Sequence, residues 1–199
     1  MELKSPTPPQ APRQKAILAA AFDVFRQYGF RRTSMEDIAR AAAMSRAALY
    51  LHYRSKEDIF QSLVQHYFDA TCAEVTRILA RGQSASQALP AAFAAHGGPI
   101  IEALLNSPHG AEFIDAKTHA SAEIVRAGEA RLIGIYAGWL SAQAMAGHLL
   151  LQEFDGDAQT LAATMLAALN GMKAGATDYP AYAASVARLA AMFGRALSV

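Results

Sequence analysis

Residues Thr33–Asp58 read TSMEDIARAAAMSRAALYLHYRSKED, and their spacing decides how the N-terminal part of the chain folds. Ser34 is followed by Met35, Glu36 and Asp37. A hydroxyl at an N-cap with carboxylates in the first turn answers free backbone N–H groups and complements the helix dipole, so a helix starts near Met35. Its apolar positions Met35, Ile38, Ala39 and Ala42 follow the i, i+3, i+4, i+7 spacing of one buried stripe. Ala43 and Met44 form a connection, and Ser45 supplies a second N-cap that opens a helix from Arg46 to about Tyr53. Two helices this short with so brief a link must cross steeply, which is helix-turn-helix geometry over about 34–53.

On the second helix Leu49 and Tyr53 share a face, assigned inward, while at ~100° per residue Ala47 and Leu51 point the opposite way. Such an outward face, led by Arg46 and flanked by Tyr50, His52, Arg54 and Lys56, suits a DNA major groove with phosphates on either side. Small Ala47 and Ala48 allow close backbone approach and offer methyls to thymine. Arg46 has two open roles, a fork to guanine O6 and N7 or a phosphate clamp. Basic residues on a short helix are also commonly no more than a solvated face, and only the surrounding pattern favours the DNA reading. Tyr53 reads as core, and at Ser34 and Ser45 capping is compatible with phosphate contact.

From RQKAILAAAFDVFRQYGF (Arg13–Phe30) through RRTSMEDIARAAAMSRAALYLHYRSKEDIF (Arg31–Phe60), the chain resembles the tetracycline-repressor (TetR) family of one-component transcriptional regulators. The resemblance runs over about Arg13–Gln65. It rests on the ordered series Tyr28-Gly29-Phe30, Thr33-Ser34, Asp37-Ile38-Ala39, Ser45, Leu49-Tyr50, His52-Tyr53 and Ser55-Lys56-Glu57. It implies that Thr33 or Ser34, Ser45, Tyr50, His52 and Lys56 contact the sugar-phosphate backbone, with Arg46, Ala47, Ala48 and Leu51 nearest the bases. One departure is Ala43, which stands where the family's turn usually has glycine. A non-glycine residue held left-handed costs ~1–2 kcal/mol.

Charge follows the same division. The 199 residues carry a net charge of only +1, but residues 1–60 hold 10 Lys+Arg against 6 Asp+Glu, net +4, and residues 61–199 are net −3. Attraction for phosphate is therefore concentrated at the end that carries the motif, which predicts salt-sensitive binding. A hydrophobic content of 53% with 18% charged residues excludes general disorder. The single cysteine, Cys72, excludes an intramolecular disulfide or a cysteine-based zinc cluster and reads as a buried thiol in a reducing, cytoplasmic setting. The opening MELKSPTPPQAP, with four prolines and no apolar core, is no secretory signal and reads as a flexible arm over 1–12.

The rest of the chain shows Ala-rich helical segments broken by Gly and Pro, with no alternating strand pattern. The expected class is all-α: an arm, a three-helix helix-turn-helix head over 13–60, and a larger helical ligand-binding and dimerisation body over 61–199. Before the motif, Ile17, Leu18, Ala21, Phe22 and Phe25 form one helix face, with Gly29 as its stop. After it, Ser55 caps a helix running to about Arg81, ~39 Å at ~1.5 Å per residue, long enough to couple head to body. Further helices are expected near 84–95, 99–105, 109–128, 129–151, 157–172 and 180–197. The last two carry Leu161, Met165, Leu166, Leu169, Val186, Leu189, Met192 and Phe193, a pattern expected of a homodimer interface; the resemblance implies a four-helix bundle between two subunits.

Rival functions find less support. Leu132–Leu151, LIGIYAGWLSAQAMAGHLLL, has 20 uncharged residues with Gly134 and Gly138 in GxxxG spacing, but Ser141, Gln143 and His148 interrupt it, and no membrane span is expected. No GxSxG, HExxH, phosphate-binding glycine loop or CxxC is present, and neither an enzyme nor a cofactor is expected. Asp115 and His119, with His109 nearby, form the alternative of a metal-dependent enzyme, and a small-molecule binding protein with a vestigial head is the other. Candidate effector-pocket residues are Tyr67, Phe68, His96, Phe113, His119, Tyr136, Trp139, Gln143 and His148, which combine apolar walls with a few polar handles. The resulting expectation is a ligand-responsive repressor of a near-palindromic double-stranded operator.

Overall fold

The computed structural model describes residues 11–110, 112–113 and 121–198. The first ten residues of the expected arm, together with Asp115 and His119, lie outside the described residues. The described residues form nine α-helices: α1 (Ala11–Tyr28), α2 (Met35–Ala41), α3 (Arg46–Tyr50), α4 (Lys56–Leu79), α5 (Ala85–Ala94), α6 (Gly98–Leu105), α7 (Ala122–Met145), α8 (Ala158–Ala174) and α9 (Tyr179–Ala196). The all-α expectation holds. The chain divides into two compact units, one of residues up to His66 with Ser107–Ile124, the other of Tyr67–Asn106 with Val125–Val199.

The first unit is built on an aromatic cluster. Ile17, Ala21 and Phe25 of α1 are fully buried, as the helical spacing required. Phe25 meets Phe30 at 5.2 Å and Phe60 at 5.9 Å between ring centroids, and Phe30 meets Phe60 at 4.9 Å. Phe113 completes the cluster, 4.8 Å from Phe60 and 5.7 Å from Phe22. Phe113, expected from its residue type in an effector pocket, belongs instead to the aromatic core of this unit. Its segment is pinned there by polar contacts as well. The Ser107 hydroxyl donates to the Arg26 carbonyl, and the Arg31 N–H donates to Glu112 Oε1 at 2.9 Å. Gly29, at φ +85°, lies so close that a Cβ there would sit 2.5 Å from Glu112 Oε2.

In the second unit α5 packs along α9, where Gly194 brings the helices together: a Cβ at Gly194 would lie 2.9 Å from Ser86 Cα. Gly128 of α7 serves the same end against α4, since a Cβ there would overlap the Phe68 ring at 2.2 Å. Phe68 is accordingly a core side chain, 2% exposed.

Two expectations about the helices need correction. Helices near 109–128 and 129–151 were expected; instead Ala122–Met145 is one uninterrupted helix, because Gly128 is a packing glycine and not a stop. Beyond Met145 the chain turns at Gly147, φ +74°, so Leu132–Leu151 is not one helix. No single helix among the described residues is long and apolar enough to cross a membrane; α5 and α6 pass only as a pair bent by 52°. Of the residues expected at a subunit interface, Leu161, Met165, Leu166, Leu169 and Val186 are buried within the protomer's own core. Periodicity identifies a buried face without saying whose atoms bury it.

Phe113→Ala removes a ring from the centre of the first unit and is expected to destabilise the protein by ~3–5 kcal/mol, measured by denaturant unfolding. A loss below ~1 kcal/mol would mean that Phe113 is peripheral to that core.

Candidate nucleic-acid interface

The first helix of the motif begins as its capping residues require. The Asp37 N–H donates to Ser34 Oγ at 3.2 Å, and the Ser34 N–H donates to Asp37 Oδ2 at 3.0 Å, a reciprocal capping box. These bonds to Ser34 favour the carboxylate and hold Asp37 below the usual carboxyl range. Met35, Ile38 and Ala39 are buried, and Ala42 follows half-buried.

The turn out of α2 is decided at Ala43. Its φ is +53°, in the left-handed region. The Met44 N–H donates to the Ala39 carbonyl at 3.0 Å and the Ala43 N–H to the Arg40 carbonyl at 3.2 Å. This is the Schellman pattern of helix termination, with alanine where glycine is usual. The chain then reaches Ser45, whose Oγ accepts the Ala48 N–H at 3.1 Å and starts α3. α3 ends at Tyr50, three residues earlier than expected: the Leu51 N–H donates to the Ala48 carbonyl and the His52 N–H to the Leu49 carbonyl, tightening the last turn.

Leu49 is fully buried and Tyr53 is 6% exposed, whereas Leu51 is 86% exposed. Arg46 and Ala47 face solvent, Ala48 and His52 are half-buried, and Tyr50 is exposed. Arg46 lies along Tyr50, with guanidinium nitrogen and hydroxyl 3.5 Å apart and the guanidinium carbon 5.5 Å from the ring centroid. The solvent-facing side of the motif thus holds Ser34, Ser45, Arg46, Ala47, Tyr50 and Leu51 together.

Two residues named from the resemblance have different surroundings. Thr33 is 3% exposed and its hydroxyl donates to the Gly29 carbonyl at 2.7 Å, closing the turn after α1. Lys56 sends its ammonium to three carbonyls, Phe30 at 2.9 Å, Arg31 at 3.0 Å and Thr33 at 2.9 Å, and stands 4.9 Å from the Phe30 ring centroid. All three donors of the ammonium are engaged with the backbone. Sequence reasoning missed Arg31, Arg32 and Arg40, which with Arg54 are exposed cations of this unit. Arg31 and Arg32 precede the helix-turn-helix and Arg40 lies on α2, and only their shared exposure marks them.

The pocket candidates do not form one group. In the second unit the Tyr67 hydroxyl donates to the His96 carbonyl at 2.9 Å and accepts from Lys173 Nζ at 2.9 Å. His96, 1% exposed, lies with Nε2 3.0 Å from the hydroxyl of fully buried Tyr136, whose pKa burial pushes upward. Trp139 Nε1 and the Tyr182 hydroxyl are buried with no hydrogen-bond partner among the described residues. A cleft of about 170 Å³ beside Tyr67 is lined also by Thr71, Glu74, Gly97 and Ile100. Gln143 and His148 are apart from these, 3.2 Å from each other, in a separate cleft with Ser84 and Ser198. Among the described residues no group of three His, Cys, Asp or Glu side chains could hold a metal ion.

Ala43→Gly is expected to raise stability by ~0.5–1 kcal/mol in thermal unfolding, the relieved left-handed strain exceeding the entropy that glycine adds to the unfolded chain. Ala43→Val should lower it. Lys56→Met leaves three carbonyls without their donor and is expected to destabilise by ~1–3 kcal/mol, while leaving the salt dependence of DNA binding unchanged. A retained melting temperature with a shallower salt slope would place the ammonium on phosphate instead.

Residues 17–63 match the family described as bacterial regulatory proteins, tetR family. Over 57 residues, 29% of this chain and 27% of the relative, the chain is 39% identical to the HTH-type transcriptional regulator RutR of Escherichia coli strain K12. Its matches span about a quarter of the length of such curated relatives. Across the fold, it superposes on a transcriptional regulator from Cytophaga hutchinsonii with a TM-score of 0.75 at 20% identity, covering 93% of this chain and 98% of that one. With SmeT, the repressor of the Stenotrophomonas maltophilia multidrug efflux pump SmeDEF, the TM-score is 0.69 at 22% identity, over 94% of this chain and 90% of SmeT. The N-terminal head of this chain therefore belongs to the tetR family of bacterial regulatory proteins, and the helical fold that follows it is the one these solved regulators share.

Proposed function

We propose that the protein is a homodimeric, ligand-responsive transcriptional repressor that acts in the cytoplasm, with its two heads in successive major grooves of a near-palindromic operator. The observation that carries this reading is the exposed side of α3, with Ala47 and Leu51 opposite buried Leu49 and Arg46 and Tyr50 on its flank, within the segment that matches the tetR family. An exposed helix face with a leading arginine, small side chains and exposed cations nearby suits a groove and its phosphates. The excess of basic residues over 1–60 supplies the long-range attraction.

Residues 13–60 serve as the head, with Phe113 packed into its core from a later segment, and the rest of 61–199 serves as the body. Dimerisation uses the faces of α8 and α9 that the protomer leaves uncovered: on α9, Ala184, Ala187, Ala191 and Met192 are exposed, the last at 68%. Small side chains permit close helix approach, and an exposed methionine adds apolar area. A small effector bound in the body, near Tyr67, His96, Tyr136 and Trp139, favours a head arrangement that misfits the operator. The shift is bounded by its differential affinity for the two states.

Titrating the purified protein onto the DNA upstream of its own gene in a gel shift tests the reading. Saturable binding that weakens steeply with salt is the expected result. No binding at low salt to any such fragment would remove the regulator reading and leave that of a small-molecule binding protein with a vestigial head.

A further inference from the structure

The geometry points to Leu51 as the residue that reads the bases under α3, by apolar contact with the 5-methyl group of thymine, with Arg46 holding the phosphate backbone beside it. This rests on the DNA-binding reading above and deepens it.

Direction comes first. Leu49 is fully buried and fixes which way α3 faces inward. At ~100° per residue, Ala47 and Leu51 each lie ~160° around the helix from Leu49, so the direction straight out falls between them. Arg46 and Tyr50 lie only ~60° and ~100° from Leu49, on the flank. Their contact follows that flank, since the guanidinium lies 3.5 Å from the Tyr50 hydroxyl and over its ring. A helix entering a groove by its outward side therefore presents Ala47 and Leu51 to the base edges and Arg46 to one wall.

Chemistry then selects the base. Leu51 is 86% exposed, above Met145 at 84% and Met192 at 68% among the large apolar side chains. A leucine brought against a donor or acceptor on a base edge strips its water and returns no hydrogen bond. Of the groups on the major-groove edge, the thymine 5-methyl is the apolar one. The Ala47 methyl, one turn earlier on the same side, extends the apolar strip and leaves room for close approach. Withdrawing one methyl-sized group from water corresponds to about a fourfold change in affinity.

The experiment uses the full-length protein and a random duplex library. Each thymine of the selected half-site is then replaced by deoxyuridine, which lacks only the methyl, and affinity is measured by fluorescence anisotropy. At one or two positions the wild-type protein is expected to lose about fourfold. Leu51→Ala and Leu51→Gln, both melting at the wild-type temperature because the side chain is exposed, should lose that sensitivity. Arg46→Ala should weaken binding to all duplexes alike and reduce the salt slope by about one. The inference is overturned, with DNA binding intact, if no deoxyuridine matters or if both Leu51 variants remain equally sensitive to it. It is also overturned if Arg46→Ala relaxes preference at that same base pair. Enrichment of no sequence would overturn the DNA-binding reading and this inference with it.

Discussion

A helix of five residues has no stability of its own, so what α3 presents to solvent depends on the burial of Leu49. That side chain is fully enclosed, worth roughly 1.5–3 kcal/mol, and Tyr53 backs it from the following turn. The turn at Ala43 delivers the chain to Ser45 at the right angle, accepting left-handed strain to do so. With Leu49 inward, the directions of Ala47, Leu51, Arg46 and Tyr50 all follow from helical geometry. Small errors in this anchor would rotate the entire outward face.

The loop between α1 and α2 is held by a different device. Lys56, at the start of α4, gathers the carbonyls of Phe30, Arg31 and Thr33. Glu112 takes the Arg31 N–H from the other direction, and Phe113 packs into the same aromatic cluster. Residues distant in the chain thereby position the N-cap of α2, because Ser34 directly follows the held loop. The compact first unit is consequently discontinuous in sequence.

The second unit buries polar groups inside an otherwise apolar core. His96, Tyr136 and Tyr67 are joined through hydroxyl and carbonyl contacts, while Trp139 and Tyr182 bury polar atoms without a partner among the described residues. Buried polar groups that lack a partner carry a desolvation penalty. Trp139 lies on α7 and Tyr182 on α9, both in the second unit, where the effector is proposed to bind.

Local chemistry in the sequence determined the helix-turn-helix: the caps at Ser34 and Ser45, the stripe Met35–Ile38–Ala39, and the departure at Ala43 were all legible because each acts within a few residues. The all-α class and most helix positions followed from the same short-range periodicity. Tertiary structure alone decided the partners. Periodicity marked Leu161, Met165 and Val186 as apolar-faced without revealing that the protomer itself covers them. Residue type marked Lys56 as a cation for phosphate, whereas three carbonyls close in space claim it, and marked Phe113 as a pocket wall, whereas the head's aromatic core encloses it. The helix boundary expected at 128/129 is absent because Gly128 packs against Phe68 within one continuous helix. Hydrogen bonds to a cap span three residues and are written in the chain; contacts made across tens of residues exist only once the chain has folded.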